Sequence, residues 1–202
     1  MLSDDGLSDD GLSDDGLSDD DVDEIVFKAA GNGDHRGAAA TLEALAERSE
    51  THSERVTRAS LLVDAGSQYG LADDWDEAIR CYRAAVADGG KCPVDPRVWL
   101  HDGLLRNGQQ DDAAALRAEL KASRSVDPGV YEAVAESLES IGLLTDAHAW
   151  FTMGYHRCEH ATVPDFMLDL LLVGRRRVRV ALGYPTDDLD EVAEDYMETV
   201  GG

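Results

Sequence analysis

The stretch Leu62-Val63-Asp64-Ala65-Gly66-Ser67-Gln68-Tyr69, followed by Ala78-Ile79-Arg80-Cys81-Tyr82-Arg83-Ala84-Ala85, decides how this chain folds. Leu62, Ala65, Gly66 and Tyr69, and then Ala78, Tyr82 and Ala85, fall at helical spacing on either side of a turn at Leu71-Ala72-Asp73-Asp74. Small residues on two facing helices let the backbones approach, and the tyrosine rings fill the remaining space. A small-residue anchor equivalent to Ala78 returns at Ala113 and at Ala147, after steps of 35 and 34 residues. A period of about 34 residues marks an array of helix–turn–helix units, each burying its face only against its neighbours.

Outward from this core, the spacing predicts a helix from about Ser53 to Tyr69 and its partner from Trp75 to about Ala87, stopped by Gly89-Gly90. Pro93 and Pro96 frame the entry to the next helix, whose face is Trp99, Leu100, Leu104 and Leu105. Asn107-Gly108 turns the chain into a returning helix from Ala113 to Leu120. Asp127-Pro128 opens the third unit as a cap followed by proline at the first helical position. Its inward residues are Tyr131, Val134, Ala135 and Leu138, then Leu144, Ala147, Phe151 and Gly154 after a turn at Gly142. On the N-terminal side, Ser18 or Asp19 caps a short helix ended by Gly31-Asn32-Gly33, and a second helix covers about 36–48. From Pro164 a more continuously apolar helix, Phe166 to Val173, runs into Arg175-Arg176-Arg177-Val178-Arg179; Gly183 and Pro185 end it before a last short helix. Its place is to cover the open end of the array.

These residues resemble the tetratricopeptide repeat family, whose signature is W-x-x-L-G-x-x-Y, then A-x-x-x-F, then P. The first unit carries Gly66, Tyr69, Ala78, Tyr82 and Ala85, and the third carries Ala135, Leu138, Ala147, Phe151 and Gly154. The middle unit departs from the pattern, with Arg117 at the aromatic position and Leu120 at a small one. The style is also similar to short actinobacterial proteins of this family, some of which carry a zinc-binding Cys-x-Cys segment that this chain lacks. The resemblance implies an all-α helix–turn–helix solenoid with a C-terminal capping helix. It is clearest over about 58–158, within a domain of 21–202 capped over about 162–200. It also implies that the first helix of each pair lines a concave, peptide-binding face.

Residues 2–21 are four tandem pentads, Leu-Ser-Asp-Asp-Gly three times and then Leu-Ser-Asp-Asp-Asp. Eleven acids fall between Asp4 and Glu24 with no base before Lys28, so residues 1–20 are expected to form a disordered acidic tail. The pentads lack the alternating oxygen ligands and closing Glu of a calcium loop. The net charge of −24 makes nucleic acid and anionic lipid poor partners. No apolar run approaches the roughly 20 residues of a membrane span, and no basic-then-apolar leader is visible. Three cysteines without regular spacing suit a reducing cytoplasm rather than a disulfide framework.

The exposed side of the first helices offers Asp64 and Ser67, then Asp95, Val98 and Asp102, then Glu132, Glu136 and Glu139. Arrays that clamp a terminal carboxylate use Lys, Arg and Asn there. An acidic lining favours instead a basic or amphipathic protein segment, with steering that weakens in salt. The chain is therefore expected to be a non-catalytic interaction module, a scaffold or adaptor, with no cofactor. Gly-x-Ser-x-Gly, His-Glu-x-x-His and phosphate-cradling loops are missing. The alternative is a metal-dependent regulator using His156, Cys158 and His160, in which the histidines sit one helical turn apart and Cys158 converges only if the helix ends there. The arginines at 175–179 pair with acids of the fold or meet a partner.

Overall fold

A computed structural model describes residues 17–48, 53 and 56–201. Among the described residues there are ten α-helices and no strand: α1 (Asp19–Asn32), α2 (His35–Ala46), α3 (Arg58–Leu71), α4 (Trp75–Asp88), α5 (Arg97–Arg106), α6 (Gln110–Ser123), α7 (Pro128–Ser140), α8 (Leu144–Cys158), α9 (Asp165–Leu182) and α10 (Asp188–Gly201). The chain divides into two compact units between Pro96 and Arg97.

In the first unit α3 packs against both α2 and α4, and α1 lies on α2. Leu42, Ala46, Leu61, Leu62, Ala65, Cys81 and Ala85 form one core with Leu17 and Val22. The decisive contact is between α3 and α4: a Cβ on Gly66 would lie under 3.0 Å from the Tyr82 ring, so only glycine permits this approach. Polar links tie the same helices. Glu43 of α2 accepts hydrogen bonds from the Tyr69 hydroxyl at 2.8 Å and from Arg80 at 2.7 Å. His35 of α2 meets Gln68 of α3 at 2.8 Å.

Helix starts follow their caps rather than the apolar pattern. Ser18 caps α1 through a reciprocal bond with Asp21, and Leu17 is buried beside it. The first helix and its cap therefore take up Ser18 to Asp20 of the expected tail; residues 1–16 of it lie outside the described residues. The α3 helix begins at Arg58, not Ser53, because Thr57 and Ser60 form a capping box while the Val56 side chain is buried and its N–H is held by Ser53.

In the second unit α5, α7 and α9 form one row, since α7 packs against both others; α6 pairs with α5, α8 packs between α7 and α9, and α10 lies on α9. Small-against-large packing recurs here. A Cβ on Gly154 would clash with Tyr131, and one on Gly174 with the ring of Phe151. Leu171, Leu172 and Val178 complete the buried seam under α9. The α10 helix is held chiefly by charge. Arg175, 5% exposed, reaches Asp187 at 2.5 Å and Asp190 at 2.9 Å, while Arg179 reaches Asp190 at 2.8 Å and Asp187 at 3.1 Å. Arg176 pairs with Glu194. These guanidinium bonds, that of Arg175 first, hold the Asp187 carboxyl down at about 2. Arg179 also lies over the Tyr184 ring, whose edge meets His148.

The middle pair solves the packing differently. His101 stands 35 residues after Gly66, where the neighbouring units carry glycine or alanine, and Arg117 stands 35 after Tyr82. An imidazole thus stands in the small-residue position and a guanidinium in place of the ring. His101 is fully buried, and neither ring nitrogen has a hydrogen-bond partner among the described residues. Arg117, its side chain mostly buried, reaches Asp146 of α8 at 3.5 Å. Burial first, and Arg117 second, push the imidazole down to about 4, against the pull of Asp102.

Two measurements test these assignments. Unfolded His101 takes up its proton near 6.5, folded His101 only near 4, so the unfolded state binds more protons in that window and stability falls as pH drops through it. Denaturant unfolding from about pH 7 to 4 should show His101→Leu losing about one proton of that dependence relative to the parent; parallel profiles would place His101 in a solvated site. Asp190→Asn leaves two guanidinium groups under-compensated and should cost about 3 kcal/mol or more. Hydrogen exchange should then accelerate across α10 while α7 and α8 keep their protection; unchanged α10 exchange would mean that the ion pairs do not hold it.

Candidate functional site

The eight residues expected to line one face divide between the units. Asp64, Ser67 and Asp95 belong to the first; Val98, Asp102, Glu132, Glu136 and Glu139 belong to the second. They are therefore described separately.

In the first unit Asp64 is half-buried on α3, and its carboxyl is pushed up to about 6 by burial, then by Asp23 and Asp19 of α1. Ser67 donates to the Val63 carbonyl at 3.0 Å and accepts from the Tyr82 hydroxyl at 3.5 Å, so its hydroxyl serves the α3–α4 contact. Asp95 is half-buried in the segment before α5; burial, then Asp64 and Asp95, push the Cys92 thiol up to about 11. The thiols of Cys81 and Cys158 are raised as well, burial being the first cause in both, so all three free cysteines are poor nucleophiles.

In the second unit Val98 corrects the expectation. It is 1% exposed, because Val98, His101, Leu104 and Leu105 share the buried side of α5. Asp102 is on the outer side and pairs with Arg106 one turn on, at 2.8 Å. The three glutamates of α7 do share a stripe. Glu139 accepts two bonds from Arg177 of α9, from Nε at 2.8 Å and Nη2 at 2.7 Å. Glu136 stands 3.6 Å from the same guanidinium. Glu132 is half-buried, with no ion pair among the described residues; burial, then Glu136, raise its carboxyl above the ordinary range, with Arg177 opposing.

What the sequence reading missed lies beside these acids. Phe166 is 53% and Leu170 37% exposed, although the apolar run of α9 read as a covered face. They precede Arg177 by eleven and seven residues, so the three share one helical stripe. Gly154 touches both Tyr131 and Leu171, and Glu139 touches Arg177. The helices α7 and α9 therefore run in the same direction, with Leu170 level with Glu132. The result is a face with carboxylates on α7 and large apolar groups on α9. The arginine spacing carried a signal for this split: residues 175 and 179 share a side of a helix, and residue 177 lies opposite.

The alternative metal set is not assembled. His156 is largely exposed and 3.6 Å from Glu159; His160 is almost fully exposed, 3.9 Å from the same carboxylate. Cys158 is fully buried, because α8 remains helical through it and two helical residues apart means opposite sides. Among the described residues no group of three or more His, Cys, Asp or Glu is placed to hold a metal ion. No helix among them is long and apolar enough to cross a membrane. No protein-family model, curated protein or solved structure matches the chain.

Proposed function

We propose that the chain is a non-catalytic, tetratricopeptide-like interaction module of a reducing compartment such as the cytoplasm, acting as scaffold or adaptor. In this reading its second unit receives a basic, amphipathic protein segment along α7 and α9. The observation that carries the reading is Glu132, a half-buried carboxylate without an ion pair among the described residues, level with exposed Leu170. A desolvated, unpaired acid is costly in the free protein, and a cation brought by a partner relieves that cost through a charge-assisted bond. Phe166 and Leu170 offer apolar area in reach of the same segment, each buried Å² contributing about 25 cal/mol. Carboxylate tails and nucleic acid are disfavoured on this face by its charge. The acids and the apolar groups call for different parts of one ligand, a helix with lysine or arginine on one side and leucine on the other.

The test uses a synthetic amphipathic helix of lysine and leucine, with a glutamate-for-lysine counterpart as control, titrated into the full chain by calorimetry. Binding of the basic peptide is expected at low salt and should weaken as salt rises. Glu132→Gln and Leu170→Ser should each weaken it by roughly fivefold to tenfold, about 1 kcal/mol or somewhat more. Equal binding by the parent and both variants, or equal binding of the acidic peptide, removes this face as the site.

A further inference from the structure

Of the four arginines of α9, three reach α10 and one does not. Arg175 and Arg179 are sequestered against Asp187 and Asp190, and Arg176 pairs with Glu194. Arg177 points the other way and lies across the face of α7, with its side chain 50% exposed. Its guanidinium meets Glu139 through two parallel N–H groups, the planar fork that distinguishes arginine from lysine. The Arg177 side chain is half-exposed, whereas those of Arg175 and Asp190 are almost fully buried, so this pair meets more solvent than theirs. It is therefore more readily exchanged than the buried pairs on the opposite side of the same helix.

We infer that Glu139, with Glu136 beside it, is a guanidinium-binding subsite, which Arg177 fills in the free protein and an arginine of the bound segment takes in the complex. The inference rests on the function proposed above and sharpens the partner's chemistry. The segment carries arginine, rather than any cation, level with Glu139. It carries an aliphatic or aromatic residue about two turns away, level with Leu170. Arg177 acts as a built-in competitor: it screens α7 from chance cations and yields to a ligand that also covers Phe166 and Leu170. Its position on the stripe of Leu170 and Phe166 makes this possible, since a helix lying along that stripe meets all three side chains.

The test compares two peptides of equal charge and length, arginine–leucine and lysine–leucine, on the parent chain and on Arg177→Gln, Glu139→Gln and Glu132→Gln. Arg177→Gln should bind the arginine peptide roughly threefold to fivefold more tightly, since an exposed pair no longer has to be exchanged. The preference for arginine over lysine should widen in that variant and vanish in Glu139→Gln. Arg177→Gln leaves the bonds to α10 intact, so unchanged α10 hydrogen exchange confirms that the fold is preserved. If Arg177→Gln weakens or leaves unchanged the binding while Glu132→Gln still weakens it, the face stands and the exchange subsite is overturned. If neither peptide binds the parent or any variant, both readings fall.

Discussion

Three of the helix contacts in the two units depend on backbone approach at residues without side chains. Gly66 against Tyr82, Gly154 against Tyr131 and Gly174 against Phe151 each bring two helices to a distance that a single methyl group would prevent. The rings then occupy the volume beside the glycine, so that close approach and full packing are achieved together. Because α8 contributes Gly154 and Phe151 while α9 contributes Gly174, the same device that closes the third pair also docks the helix beyond it. This ties the position of the exposed α9 stripe to the core.

The middle pair shows what happens when the device is altered. His101 occupies the small-residue position and Arg117 the aromatic one, so both helices carry a large polar side chain there. The helices remain paired, but a fully buried imidazole is left without hydrogen-bond partners among the described residues. Arg117 reaches Asp146 of α8. A packing substitution has thus become an electrostatic one, with acid sensitivity as its physical consequence.

Charge is distributed in the second unit with a clear division. The interior ion network of Arg175 and Arg179 with Asp187 and Asp190 fixes α10, whose own apolar contribution is small: Ala193 is buried while Val192, Met197 and Val200 are exposed. Among the described residues Arg177 alone pairs with the glutamates of α7, and Glu132 has no ion pair. The glutamates of α7 therefore stand beside exposed apolar groups of α9, and this coincidence is the basis of the proposed partner.

By itself the sequence determined the helices, their order and the small-and-large positions that join them, because a 3.6-residue period and glycine–ring complementarity are local properties that survive without knowledge of neighbours. Caps were legible at Ser18 and Asp127, but Thr57 was not, since the apolar spacing ran past it. Only the tertiary structure decided which residues face outward. Val98 looked available and is buried with His101; Phe166 and Leu170 looked buried and are exposed; Arg177 was one of a cluster and stands apart from it. Helical periodicity says which residues share a side, whereas exposure depends on which side the neighbouring helix covers, and that is set by contacts distant in sequence.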